Sequence, residues 1–217
     1  MKKIAIIGAG GFGREVVCLI NAINEKSKEW DFIGFFDDVK DIGYENEYGK
    51  VLGRIKDLNS YPESLAVVVA IAKPSAIEVI VKSITSPNIY FPNLIAPDII
   101  FFDKNNMSLG QGNIIGFGCS ISCNIHIGNF NIFNCFISVG HDTKIGNYNT
   151  IMPNARISGN IKIGDRNFLG SSSTILEKFT IGNDTIIGAG SLVLRNTKDG
   201  HTYIGNPASV VKFGNNN

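Results

Sequence analysis

The sequence predicts two successive architectures: an α/β domain over residues 1–95 and a parallel β-helix over residues 96–217. Two observations carry this. In the first half, short apolar runs alternate with amphipathic stretches, and a glycine cluster stands at the first junction. In the second half, an apolar residue returns at every sixth position.

In the first half, Lys3–Ile7 is a short apolar strand that runs into Gly8-Ala9-Gly10-Gly11-Phe12-Gly13. From Arg14 the pattern becomes helical, with Val16, Val17, Leu19, Ile20 and Ile23 on one side. Phe32–Phe36 reads as a second strand that ends in Asp37-Asp38, and Leu65–Ala72 as a strand buried on both faces. Pro74 opens a helix to about Ser83, since proline is tolerated at a first turn, and Ile89–Phe91 is a last strand before Pro92. The order β-α-β-(β)-α-β describes a small doubly wound, Rossmann-like sheet.

In the second half, every sixth residue from Leu109 to Val193 is Leu, Ile, Phe or Val, fifteen in succession. At the chain's 44% hydrophobic content chance gives such a run roughly once in several hundred thousand trials, so the period is structural. Residues two positions earlier are mostly small or polar, among them Asn113, Cys119, Thr143, Ala155 and Ser173. A longer period of eighteen appears as Leu109-Gly110, Ile127-Gly128, Ile145-Gly146, Ile163-Gly164 and Ile181-Gly182. Three hexads per coil make a triangular β-helix whose apolar residues point inward and stack coil on coil. About five coils fit between Leu109 and Asn196, and the glycines after the apolar residues are expected to supply the corner conformations.

Composition narrows the function classes. A net charge of +1 with no basic block argues against nucleic acid, and no apolar run reaches the ~18 residues needed to cross a membrane. The apolar run after Met1-Lys2-Lys3 ends at Gly8, too short for a secretion signal. Cys18, Cys119, Cys123 and Cys135 show no metal-finger spacing, which fits reduced thiols and a cytoplasmic location.

The motif Gly8-x-Gly10-x-x-Gly13 follows a strand and opens a helix, where a tight turn lets a phosphate reach backbone N–H groups. Asp37, 24 residues beyond Gly13, is placed to contact a ribose or base. Strand–helix packing alone is the competing explanation, and a full dinucleotide site does not fit in about 95 residues. His126 and His141 fall off the inward phase, so both face outward, while His201 lies past the last coil. His141 has an acid beside it, Asp142, to fix its tautomer and raise its basicity. One coil later stands Gly159, whose bare N–H is suited to an oxyanion. Two histidines in the repeat do not supply the three-histidine zinc set of β-helical carbonic anhydrases, so no metal is expected. Cys119, Cys123 and Cys135 have no base nearby in sequence and are expected to pack in or near the coils.

The opening GAGGFGRE, the strand end Phe36-Asp37-Asp38, the hexapeptide coils, Gly140-His141-Asp142 and the terminal Gly205-Asn206-Pro207-Ala208 together resemble the sugar O-/N-acyltransferases. That family includes sialic-acid O-acetyltransferases and the N-acetyltransferases of bacillosamine, perosamine and viosamine pathways. The resemblance spans the chain and implies a left-handed coil. It implies that the first domain holds a nucleotide-linked amino sugar and that acetyl-CoA lies along the β-helix between subunits of a homotrimer. The catalytic histidine of the family matches His141, its acidic companion Asp142, its oxyanion glycine Gly159 and an active-site asparagine Asn134. The substrate turn matches Gly8, Gly10, Gly11 and Gly13, with the acidic pair at Asp37 and Asp38. A second histidine that some relatives carry nine residues after the first is Thr150 here.

The resemblance implies N-acetylation of a 4-amino-4,6-dideoxy sugar on a nucleotide, in the biosynthesis of a surface polysaccharide such as O-antigen. A sialic-acid-type O-acetyltransferase is the alternative, and a non-catalytic hexapeptide scaffold a third. The glycine turn with Asp37 and Asp38 favours a nucleotide-bearing acceptor over a free sugar.

Overall fold

The computed structural model describes residues 1–211, so residues 212–217, which the sequence assigns to the second domain, lie outside the described residues. The chain divides into two compact units. One comprises Met1–Pro97 with Gln111–Asn113, the other Asp98–Gly110 with the chain from Ile114 on.

The first unit carries a six-stranded sheet and two α-helices: β1 (Lys2–Ile7), α1 (Gly11–Lys26), β2 (Trp30–Phe36), β3 (Glu45–Asn46), β4 (Gly49–Gly53), β5 (Leu65–Val69), α2 (Pro74–Ser83) and β6 (Ile89–Tyr90). The sheet order is β3-β4-β2-β1-β5-β6, parallel except for the β3–β4 hairpin. Ile4, Ala5, Ile6 and Ile7 are fully buried because β1 lies between β2 and β5, which accounts for a continuous rather than alternating apolar run. Helix α1 begins at Gly11, three residues before the periodicity becomes visible at Arg14, since its first turn is built from the glycine cluster. Its buried face is Gly13, Val16, Val17, Leu19 and Ile20. The hairpin lies where apolar patterning is weak, and Asn46 closes its turn by accepting the N–H groups of Tyr48 and Gly49.

The second unit is a left-handed parallel β-helix. Its three sheets are in register at eighteen residues, as in Ile121↔Val139↔Ile157↔Ile175↔Val193 on one face and Ile127↔Ile145↔Ile163↔Ile181 on the next. Fourteen of the fifteen periodic apolar residues are less than 5% exposed, and only Leu109, on the first coil, is half-buried. Stacked Ile, Leu and Val side chains thus form a continuous axial core. The polar column two residues earlier is buried as well. Asn131 Oδ1 accepts the N–H and the Nδ2 of Asn149, Asn149 Oδ1 accepts the N–H of Asn167, and Asn167 Oδ1 that of Thr185. Each amide thereby satisfies a corner N–H that no strand partner reaches.

The corners correct one sequence expectation. Left-handed backbone recurs at every sixth residue from Gly112 to Gly190 with φ between 52° and 69°, three residues after each inward apolar residue, and most of these positions are not glycine. Phe130, Phe136, Tyr148 and Arg166 all adopt it. Stacking makes this tolerable: the N–H of the left-handed residue donates to a carbonyl on the preceding coil, as Tyr148 does to Asn129 and Arg166 to Asn147. The glycines directly after the apolar residues serve a different purpose, close approach. A β-carbon on Gly128 would lie 2.5 Å from the carbonyl oxygen of Gly146, and one on Gly164 would lie 2.7 Å from that of Gly182. Among the described residues no helix is long and apolar enough to cross a membrane.

Candidate active site

His141 stands at the corner that follows the strand Ser138–Val139 and precedes Lys144–Ile145. Its outward direction follows from phase: Val139 fills the core, so the residue two further on has left the strand. Asp142 takes the left-handed corner conformation, φ 57°, and that turn brings its carboxylate back to the ring. Asp142 Oδ2 lies 2.7 Å from His141 Nδ1, while Oδ1 accepts the Nδ2 of Asn124 at 3.0 Å. The hydrogen bonds from His141 and then Asn124 hold the Asp142 carboxyl below the usual carboxylate range. An ionised Asp142 can only accept, so His141 carries its proton on Nδ1 and presents the Nε2 lone pair outward. The two side chains are 59% and 51% exposed, which leaves the dyad open to a ligand.

Gly159 lies under the imidazole. A β-carbon at that position would meet His141 Nε2 at 2.5 Å and Cε1 at 2.7 Å. The backbone around it is pinned by the Asn160 N–H, which donates to the His141 carbonyl at 2.7 Å, and by the Lys178 N–H, which donates to the Gly159 carbonyl at 3.2 Å. Among the described residues the Gly159 N–H takes no part in the backbone hydrogen bonds of the coil. Three of the expected residues, His141, Asp142 and Gly159, are therefore together. Asn134 stands one corner earlier, after Phe133, where its Oδ1 accepts the Cys135 N–H at 2.8 Å.

Asn124 is the member that motif reasoning missed. Its signal was present, because it precedes Asp142 by eighteen residues, one coil. The other histidines are engaged differently. His126 Nδ1 lies 2.7 Å from Ser108 Oγ, and His201 Nδ1 donates to the Asp199 carbonyl at 2.7 Å. Cys119 is buried, and burial pushes its thiol up to about 11, which suits packing rather than nucleophilic chemistry. Among the described residues no cluster of His, Cys, Asp or Glu is arranged to hold a metal ion.

In the first unit, Gly8, Gly10 and Gly11 border a cavity of about 590 Å³ together with Asp37, Asp38 and the apolar side chain of Ile71. The glycines do different things. A side chain at Gly10 would meet nothing within 4 Å, and one at Gly11 only the Arg14 guanidinium at 3.9 Å, so their backbone faces open space. At Gly13 a β-carbon would collide with the Gly8 carbonyl, so this glycine permits α1 to pack on β1. Gly8 itself has φ +102°, a conformation other residues rarely adopt.

Asp37 is committed to the turn. Its Oδ2 accepts the Ala9 N–H at 2.7 Å, and its Oδ1 accepts those of Val39 and Lys40 at 2.7 and 2.9 Å. Burial works to raise the Asp37 pKa, but the N–H groups of Ala9, Lys40 and Val39 outweigh it and hold the carboxyl below its ordinary value. Arg54, another residue that motif reasoning missed, clamps the same loop through the carbonyls of Asp37 and Lys40. Asp38 is exposed and accepts the Ile55 N–H at 2.9 Å through Oδ1. The pair thus splits into one carboxylate that shapes the loop and one that faces solvent at the cavity.

Two family models match separate stretches of the chain. Residues 3–84 match the PglD N-terminal domain, and residues 142–177 and 160–195 match the bacterial transferase hexapeptide (six repeats). No curated protein matches. Among solved structures, the acetyltransferase domain of PglB from Neisseria gonorrhoeae is 27% identical, with 97% of this chain and 100% of that one covered and a TM-score of 0.87. The same domain has been solved in complex with acetyl coenzyme A. PerB from Caulobacter crescentus, solved with CoA and GDP-perosamine, is 26% identical over 98% of each chain with a TM-score of 0.88. WeeI from Acinetobacter baumannii is 27% identical, with 97% and 100% coverage and a TM-score of 0.84. The chain thus matches a PglD-type N-terminal domain followed by transferase hexapeptide repeats, and over nearly its full length it is similar to solved acetyltransferases.

Proposed function

We propose that the protein transfers an acetyl group from acetyl-CoA to the amine of a nucleotide-linked 4-amino-4,6-dideoxy sugar, with His141 as general base. The observation that carries this is the exposed His141–Asp142 dyad seated on Gly159. The likeness to PerB, whose complex holds CoA and GDP-perosamine, supports the substrate classes.

The residues account for each step of a direct transfer. The sugar nitrogen attacks the thioester carbonyl while His141 Nε2 accepts a proton from it. Asp142 orients the ring and stabilises the imidazolium, and Asn124 holds Asp142 in turn. The Gly159 N–H is placed for the oxyanion of the tetrahedral intermediate. That intermediate collapses, its carbon–sulfur bond breaks, and His141 returns the proton to the departing CoA thiolate. The Gly8–Gly13 turn receives the diphosphate at the N-terminus of α1, and Asp38 faces the nucleotide. A homotrimer completes the arrangement, because Asn134 occupies a different corner from His141 and serves a neighbouring subunit's dyad.

The test is a turnover panel: UDP-, GDP- and dTDP-linked amino sugars, each with acetyl-CoA, followed by mass spectrometry. The proposal requires an acetyl gain on the amine of at least one of them. Acetylation confined to hydroxyls, or to free sialic acid, would replace it with the O-acetyl alternative.

A further inference from the structure

The corner that carries Asp142 repeats as a column. Asn124, Asp142, Asn160 and Lys178 stand eighteen residues apart, each in the left-handed conformation with φ between 56° and 68°. The strands on either side are paired in the same register, Ser120↔Ser138↔Arg156 before the corner and His126↔Lys144↔Lys162 after it. The backbone joins these coils as well. The Asp142 N–H donates to the Cys123 carbonyl at 3.1 Å, and the Asn160 N–H to the His141 carbonyl at 2.7 Å. At the ~4.8 Å spacing of neighbouring strands, the side chains that flank Asp142 are therefore two primary amides. From Asn124 through Lys178 to Asn196, Asp142 is the one carboxylate of the column.

The two amides do different things. Asn124 Nδ2 donates to Asp142 Oδ1 at 3.0 Å and leaves Oδ2 to His141 Nδ1 at 2.7 Å. The terminal torsion of an aspartate is broad and this side chain is 51% exposed, so one hydrogen bond does not fix the carboxylate. The second, from Asn124, does. Asn160 meets the dyad through its backbone, and its side chain adds no charge. The other titratable groups on the surrounding coils are Cys123 and His126 before the dyad, Lys144 beside it and Lys162 after it. Glu177 and Lys178, two coils on, pair with each other at 3.7 Å.

We propose that Asn124 is a positioning residue for the acetyl transfer, and that Asn124 and Asn160 together keep a single negative charge beside the base. The inference rests on the role of His141 proposed above. One carboxylate, held against the ring, stabilises the imidazolium that forms as the amine gives up its proton. A second carboxylate at either neighbouring corner would stabilise the imidazolium of the resting enzyme as well. His141 would then stay protonated at neutral pH, where the reaction needs it free. At position 124 the added charge would also repel Asp142 and turn it from the ring.

Three variants test this. Asn124→Gly removes the amide and still accepts the left-handed corner, while Asn124→Asp and Asn160→Asp keep the shape and add a charge. The measurements are kcat against pH, thermal melts, and the NMR titration of His141 in isotope-labelled enzyme without substrate. Asn124→Gly is expected to lower kcat about ten-fold or more, with the KM of both substrates near wild type. Its melting temperature should change little, since this corner is exposed. Both Asp variants should raise the His141 midpoint and the acidic limb of kcat by about half a pH unit or more, and added salt should shrink the shift. A kcat of Asn124→Gly within two-fold of wild type, or a His141 midpoint unmoved in both Asp variants, would overturn the proposal. So would a loss of kcat in Asn124→Gly that a lowered melting temperature accompanies, which would make the amide structural. If the midpoint moves as expected while His141→Ala turns over normally, the column stands and the base role fails. A strict requirement for His141 with neither response removes this proposal alone.

Discussion

The imidazole of His141 occupies the space that a side chain on Gly159 would fill, with Nε2 2.5 Å from the position of the missing β-carbon. Residues eighteen apart in sequence are thus one unit, and the glycine is needed for room as well as for its N–H. Gly159→Ala keeps the N–H and displaces the ring. It is expected to lower kcat by ~10²-fold, the cost of a misplacement near 1 Å. Folding should be spared, because Gly159 has no positive φ and lies at an outward corner. Steady-state kinetics with a thermal melt check this, and an unchanged kcat would mean that the ring does not act from the position seen here.

The glycines of the first unit separate into two kinds, and substitution should separate them too. Gly10→Val and Gly11→Val place a side chain in open space over the turn. Each should raise KM for the sugar nucleotide about ten-fold or more, with KM for acetyl-CoA unchanged. Gly13→Ala drives a methyl into the Gly8 carbonyl and should lower stability by about 1–3 kcal/mol. Equal effects of Gly10→Val on both substrates would show that the turn is only a packing device.

Asp37 links stability to acid. Its folded-state pKa is depressed, burial being outweighed by the Ala9, Lys40 and Val39 N–H groups. The carboxylate therefore stabilises the fold above its unfolded pKa of ~4, and that contribution is lost as pH falls through the lower folded value. Asp37→Ala is expected to cost about 1–2 kcal/mol at pH 7, after allowance for its partial exposure. Urea denaturation at several pH values checks the sign: the gap between wild type and variant should narrow below pH ~4. A gap that widens in acid would contradict the assignment.

The repeat was legible residue by residue, because an axial core accepts only apolar side chains and one phase therefore tolerates no exception. The corners were not. A left-handed φ is read in sequence through glycine, yet here Phe130, Phe136 and Tyr148 adopt it under the constraint of the coils on either side. The glycines that were visible answer to crowding instead, which depends on a partner eighteen residues away. In the first unit the strands were legible from burial and the hairpin was not, since Asn46 and the short pair β3–β4 carry little apolar signal. At the site, His141 and Asp142 were found by adjacency and Gly159 by stacking. Asn124 required the same stacking argument applied backward from Asp142. The committed role of Asp37 was the least legible part, because beside the local N–H groups of Val39 and Lys40 it depends on the Ala9 N–H, 28 residues earlier, which leaves no pattern in the chain.

The central claim is that His141 removes the proton from the attacking amine. The direct measurement is kcat of His141→Ala with an accepted nucleotide amino sugar at saturating acetyl-CoA, alongside calorimetric CoA binding. The account predicts a loss of ~10²–10⁴-fold in kcat with CoA affinity preserved, because the side chain points out of the coil. Asp142→Asn should lose less, since an amide still orients the ring but stabilises the imidazolium poorly. A His141→Ala enzyme with near-normal kcat would contradict the account, and His126 would then be the next residue to replace.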